Sequence, residues 1–198
     1  MRRFAAGFLV ILCLPACAGQ PATTAALPAP APATPDSSAL LAARRDSLAR
    51  AAEAADASRR AAAAREAEAA RLRADRAARD TLALRVHFAF DRAELMPESR
   101  ALLERKADIL RANPALVVNL EGHCDDRGSD EYNLALGQRR AQAILQFLLG
   151  RGVNRTQLRT SSYGEEAPLA TEATEWAWAR NRRGEFTVLA TPGLLRLD

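Results

Sequence analysis

From Leu84 onward, apolar residues recur in short runs whose period switches between two residues and three to four, the mark of strands alternating with helices. Leu84 to Phe90 reads as a strand. Pro97 then opens a helix carried by Leu102, Leu103, Ile109 and Leu110, which stops at Asn113-Pro114. Leu116 to Leu120 is a second strand, and a charged loop, His123 to Asp130, leads to a helix over Glu131 to Leu149 that Gly150 and Gly152 terminate. A strand at Leu158 to Tyr163, a short helix over Glu172 to Arg180 and a last strand at Glu185 to Leu189 complete the pattern. The third of these strands follows the longest helix, whose apolar stripe is assigned to Leu134, Ala141, Leu145 and Leu148. The fold expected for residues 83–198 is α/β or, more narrowly, an α+β sandwich with helices packed on one sheet.

The preceding residues follow other rules. Arg2 and Arg3 stand before an apolar run, Phe4 to Ala16, that is too short to span a bilayer and reads as a secretory signal over residues 1–16. It ends in Leu14-Pro15-Ala16-Cys17, which resembles the bacterial lipobox, with Cys17 as the acylated residue; Pro15 departs from that pattern, and Cys13 is the weaker acceptor because bulky Leu12 precedes it. The alternative is ordinary cleavage near Ala16 or Ala18 and a soluble product. Several acyl chains would make a firm anchor, since each buried methylene contributes about 0.8 kcal/mol. Residues 17–37 are rich in proline and alanine, as suits an extended tether. Residues 38–82 hold 19 alanines, no glycine and no proline, with arginines set among aspartates and glutamates. That composition predicts a long Ala/Arg-rich helix. Its leucines (Leu40, Leu41, Leu48, Leu72 and Leu82) are too sparse for a heptad seam, so a solvated spacer helix is expected rather than a dedicated partner-binding one.

Charge and cysteine content narrow the function. Removal of Arg2 and Arg3 with the signal leaves 26 basic against 24 acidic residues, and residues 83–198 carry 16 of each. Nucleic acid is therefore not an expected partner. Cys124 is the cysteine left in the last domain, which excludes an internal disulfide framework there. Catalysis has no support. His123 and Cys124 are adjacent at a strand end and should point to opposite faces, and no Gly-x-Ser-x-Gly elbow occurs. The histidines are His87 and His123 alone, without paired ligand spacing, so no metal and no cofactor is expected. Of the two tryptophans on the short helix, Trp176 and Trp178, one is expected to pack and the other to lie partly exposed.

The candidate chemistry lies in the charged loop and the helix after it. Asn133 and Arg140 are seven residues apart, only about 20° apart in helical projection, and border the buried stripe; Arg139 points away. Asp125 from the loop and Arg140 from the helix would make a site of opposed charges, suited to a ligand with an ammonium and a carboxylate on one carbon. Asp125 would accept the ammonium donors and Arg140 would grip the carboxylate with two N–H groups. The plainer alternative is that the two side chains pair with each other.

Gly122-His123-Cys124-Asp125-Asp126-Arg127-Gly128, followed by Glu131-Tyr132-Asn133-Leu134-Ala135-Leu136-Gly137-Gln138-Arg139-Arg140-Ala141, resembles the OmpA C-terminal-domain-like family of peptidoglycan-associated lipoproteins (Pal). The resemblance runs from Val86-His87-Phe88-Ala89-Phe90-Asp91 through Ser162-Tyr163-Gly164 to Asn181-Arg182-Arg183, with Cys124 and Gly184 as departures. It implies a non-catalytic domain that binds the diaminopimelate of the peptidoglycan stem peptide. By the same resemblance Asp125 and Arg140 hold the ligand's amino and carboxylate groups, Phe90, Asp91 and Asn133 line the pocket, Leu136 forms its edge, and Arg182 and Arg183 fasten the last helix to the sheet. It further implies a lipid-anchored protein of the cell outer membrane, facing the periplasm, that tethers this membrane to the wall. Ala18 after the anchor, rather than aspartate, agrees with outer-membrane sorting. TolB-like and TolA-like partners, in a Tol–Pal system acting in envelope integrity and cell division, are implied as well. A competing expectation is a periplasmic protein-interaction module that uses the spacer helix, with wall binding secondary.

Overall fold

The computed structural model describes residues 36–191 and 193–197. The expected signal, the lipobox with Cys17 and most of the tether lie outside them. By its contacts the chain divides into residues 1–51 and 52–198. Of the first unit, residues 36–51 are described: an exposed helical stretch opened by Asp36, whose carboxylate accepts the Ser38 N–H at 3.0 Å. It belongs to helix α1 (Ser37–Ala83), the long Ala/Arg-rich helix that the composition predicts. Within the second unit, α1 carries Arg59–Asp56 and Arg79–Asp75 ion pairs one turn apart. Its exposed surface gives way only near the end, where Ala78 and Leu82, four residues apart, enter the core. No helix among the described residues is long and apolar enough to cross a membrane.

The rest of the second unit is an α+β sandwich. Strand β1 (Val86–His87) is followed by α2 (Pro97–Ala112), β2 (Val117–His123), α3 (Asp130–Gly150), a 3-10 turn at Arg155–Gln157, β3 (Leu158–Gly164), α4 (Glu175–Asn181) and β4 (Arg183–Ala190). The sheet order is β1-β4-β2-β3, with β2 and β3 parallel and the other pairs antiparallel. Val118, Leu120, Leu158 and Phe186 from the strands meet Leu103, Leu110, Ile144 and Leu148 from α2 and α3 in one core.

Several boundaries differ from those expected, each for a local reason. The first strand shrinks from Leu84–Phe90 to two residues, because the Leu84 carbonyl accepts from Lys106 and the carbonyls of Phe88 and Ala89 accept from the side chains of Arg182 and Arg140 instead of a neighbouring strand. β2 runs on to His123 because Glu121 and Gly122 still have partners on both sides, Glu185 and Gly184 on β4 and Ser161 and Ser162 on β3. The short helix starts at Glu175 rather than Glu172, since the Thr174 hydroxyl caps it by accepting the Ala177 N–H at 3.3 Å. Leu134 is not part of the buried stripe, being 49% exposed; Ala141, Leu145 and Leu148 are buried as expected, and Asn133, Gly137, Arg140 and Ile144 join them on the inward side of α3.

The cause of that rotation is a backbone contact between α3 and the sheet. A Cβ on Gly122 would lie 1.9 Å from the Gly137 carbonyl oxygen, and a Cβ on Gly137 would lie 2.2 Å from Ser162 Oγ. Two residues without side chains are what lets helix and strand touch here. With Gly137 pressed on the end of β2, Asn133 and Arg140, one turn to either side, are carried to the loop that leaves that strand.

Candidate functional site

Arg140 is the largest fully buried side chain of the domain. Its Nε donates to the Arg92 carbonyl at 2.9 Å, Nη1 to the His123 carbonyl at 2.6 Å and Cys124 Sγ at 3.3 Å, and Nη2 to the Ala89 carbonyl at 3.2 Å. Those bonds fasten the loop after β1 to the end of β2. They also leave one Nη2 N–H without a partner among the described residues, so a carboxylate would meet a single donor and the charge rather than the two-pronged grip expected. Burial pulls the guanidinium pKa below its ordinary value, partly opposed by nearby Cys124 and Asp125.

Asp125 is buried at the start of the loop, and no ion pair joins it to Arg140 among the described residues. Its Oδ2 accepts from Arg127 at 2.7 Å and from Arg182 at 3.1 Å. Arg182 thus does more than fasten the last helix: it joins the Phe88 carbonyl, Asp125 and Glu175. The Arg127 guanidinium lies between the rings of Phe90 and Trp178, 4.0 and 4.2 Å from their centroids. Trp178 is the packed tryptophan; Trp176 is 62% exposed.

All six residues singled out from the sequence line one cavity of about 320 Å³: Phe90, Asp91, Asp125, Asn133, Leu136 and Arg140. Arg127, Gly128 and Tyr132, which sequence reasoning missed, line it too. Asp91 adopts a left-handed backbone conformation, φ 52°, rare for a residue with a side chain, and accepts a hydrogen bond from the Tyr132 hydroxyl. Asn133 is buried and donates to Glu165 on the loop after β3 and to the Arg127 carbonyl. Anionic and cationic groups thus face one small space, with an aromatic and an aliphatic side chain beside them.

His123 and Cys124 part company as expected. The His123 ring stacks on Tyr163, centroids 5.3 Å apart, while Cys124 Sγ donates to the Asn133 carbonyl at 3.3 Å. Burial pushes the Cys124 thiol up to about 11, so it is protonated at neutral pH and no nucleophile. Among the described residues one group of potential metal ligands does form, Glu121, His123 and Glu185. Sequence spacing carries no sign of it, because its members come from two strands far apart in the chain.

Comparison with known proteins places the chain among relatives. The family model described as the OmpA family matches residues 87–182. The peptidoglycan-associated lipoprotein of Pseudomonas putida is 48% identical over 100 residues, 50% of this chain and 60% of that protein. That of Pseudomonas aeruginosa is 44% identical over 116 residues, 57% of this chain and 68% of the relative. The chain therefore spans about 60% to 68% of the length of these relatives. Among solved structures, the peptidoglycan-associated lipoprotein from Burkholderia pseudomallei superposes with a TM-score of 0.52 at 38% identity, covering 52% of this chain and 88% of that one. The C-terminal domain of Helicobacter pylori MotB gives a TM-score of 0.52 at 25% identity, over 55% and 86% of the two chains.

Proposed function

This chain belongs to the OmpA family, as a relative of the peptidoglycan-associated lipoproteins, and from that premise we propose that it binds peptidoglycan non-covalently through the cavity between the β1–α2 loop, the β2–α3 loop and α3. It is a structural protein and not an enzyme, in keeping with its family. The ligand is the diaminopimelate residue of the stem peptide, whose ammonium meets Asp125 and whose carboxylate meets Arg140. Acylation at Cys17 anchors the chain in the outer membrane from the periplasmic side, so that wall and membrane are tethered. As its wider setting we propose TolB-like and TolA-like partners in envelope integrity and cell division.

The observation that carries this reading is the state of Arg140. A guanidinium with no exposed surface, hydrogen-bonded among the described residues to carbonyl oxygens and a thiol but to no carboxylate, borders a cavity. A buried cation of this kind is stabilised by an anion that enters from outside. Asp125, which lines the same cavity, supplies the complementary charge for an ammonium.

The test is co-sedimentation of the purified protein with protein-free peptidoglycan sacculi. The unaltered protein is expected to pellet with the wall, and Asp125→Ala and Arg140→Lys to pellet far less while retaining their circular dichroism spectra. Equal sedimentation of all three would refute the cavity as the wall-binding site.

A further inference from the structure

On the sheet face opposite α3, β2 and β4 place two carboxylates side by side. Glu121 and Glu185 are direct cross-strand partners in the antiparallel register, and His123 lies two residues further along β2, on the same side of the strand. One ligand atom from each of the three side chains lies within 4.8 Å of the others. Like-charged residues directly opposed on a sheet are destabilising unless something compensates them.

Part of the compensation is visible. Arg85 and Arg183 each donate to Glu185 Oε1 at 2.7 Å, and Asn119 donates to Glu121 Oε1 at 3.0 Å. Every one of those bonds uses Oε1, so each carboxylate keeps Oε2 without a partner among the described residues. His123 is only 3% exposed, yet neither of its ring nitrogens has a hydrogen-bond partner among the described residues. A buried imidazole with both nitrogens unpaired is uncommon, because it forfeits the hydrogen bonds it makes with water. The convergent atoms are lone-pair donors, and the group that would satisfy all three at once is a cation.

We infer that Glu121, His123 and Glu185 form a binding site for a divalent first-row transition-metal ion, of which Zn²⁺ is the type. The mixed nitrogen and oxygen donor set selects that class over Mg²⁺ and Ca²⁺, which take oxygen ligands. Tetrahedral coordination at ordinary Zn–N and Zn–O lengths puts ligand atoms about 3.3 Å apart, so the three groups close by rotation of the two flexible glutamates. Stacking on Tyr163 fixes the plane of the imidazole. The two arginines beside Glu185 lower the affinity below that of an all-acidic site, and a micromolar dissociation constant is expected. Binding would tie β2 to β4 close to Asp125, at the residue whose carbonyl holds Arg140. None of the three residues lines the wall-binding cavity.

Titration of the full chain with Zn²⁺ in competition with a chromophoric chelator tests the assignment, with Mg²⁺ as the control ion. The unaltered chain is expected to bind Zn²⁺ with micromolar affinity and Mg²⁺ not measurably. His123→Gln and Glu185→Gln should each weaken Zn²⁺ binding by at least about tenfold, whereas His87→Gln should leave it unchanged. A thermal melt with and without Zn²⁺ separates loss of the site from loss of the fold: both site variants should melt cooperatively yet lose the metal-dependent shift. Zn²⁺ binding that survives His123→Gln undiminished, or that is undetectable in the unaltered chain, overturns the proposal and leaves water as the partner of these groups.

Discussion

Arg127 Nη2 lies 2.7 Å from Asp125 Oδ2, and Arg182 donates to that same oxygen at 3.1 Å. Two guanidinium groups on one oxygen leave Oδ1 of Asp125 without a partner among the described residues, on a carboxylate that lines the cavity. An incoming ammonium therefore has an acceptor without displacing either arginine. Replacing Asp125 by Asn keeps the shape and removes the charge. A hydrogen bond between charged groups contributes about 1.5–3 kcal/mol, so Asp125→Asn is expected to raise the Kd for a diaminopimelate-containing stem peptide roughly ten- to a hundredfold. Isothermal titration calorimetry reads this directly, and an unchanged Kd would remove Asp125 from the site.

Arg140 should show two effects at once, because it both faces the cavity and joins three backbone carbonyls from two loops. Lysine retains the charge but has one nitrogen in place of three. Arg140→Lys is expected to lower the unfolding free energy by about 2–4 kcal/mol in urea, through lost charged hydrogen bonds at a buried position. Discrimination should fall as well. A stem peptide with lysine in place of diaminopimelate lacks the carboxylate opposite this residue, so the unaltered protein should prefer diaminopimelate and the variant should lose much of that preference. A variant that kept full preference would show that the carboxylate is read elsewhere.

The elements were legible because periodicity survives in a single sequence: β2, α3 and β3 fall close to where alternation and helical spacing put them. Asp125 and Arg140 were legible as opposed charges on neighbouring elements. Less visible was anything decided by a partner distant in the chain. The first strand loses its end to Arg182 and Arg140, 94 and 51 residues away, and no local signal announces that. Arg127 takes its place from Phe90 and Trp178, which only the fold brings to either side of it. Leu134 looked like a core residue because leucine usually is one; the contact between Gly122 and Gly137 turns it outward, and that contact is written in the absence of side chains.

The glycines at that contact and the glycine at the end of α3 give predictions of opposite sign. Gly137→Ala would set a methyl 2.2 Å from Ser162 Oγ and 2.8 Å from the Gly122 carbonyl oxygen. Overpacking of this kind costs about 1–3 kcal/mol. Gly122→Ala should cost more, since its methyl would meet the Gly137 backbone at 1.9 Å and no side chain there can rotate away. Gly150, at the end of α3, has nothing within 4 Å of the point where a Cβ would stand, and Gly150→Ala should stabilise by up to about 1 kcal/mol through helix propensity. Melting temperatures of the three variants check both signs together.

Lys106 gives the domain a pH dependence whose sign follows from its surroundings. The ammonium is fully buried on α2, donates to the carbonyls of Leu82 and Leu84 and sits 3.7 Å from the centroid of the Phe186 ring. Burial pushes its pKa down to about 7, with the charge of Glu185 opposing the shift. The folded value lies below that of the unfolded chain, so from about pH 7 up to the unfolded lysine range the unfolded state binds a proton that the folded state has released. Stability must then rise with pH in that window, by up to roughly 1.4 kcal/mol per pH unit. Urea unfolding at pH 7, 8 and 9 should show the rise, and in Lys106→Met the slope should flatten. Lys106→Met is also expected to be less stable at pH 9, because two carbonyls near the end of α1 lose their donor. The same slope in both proteins would assign the pH dependence to another group.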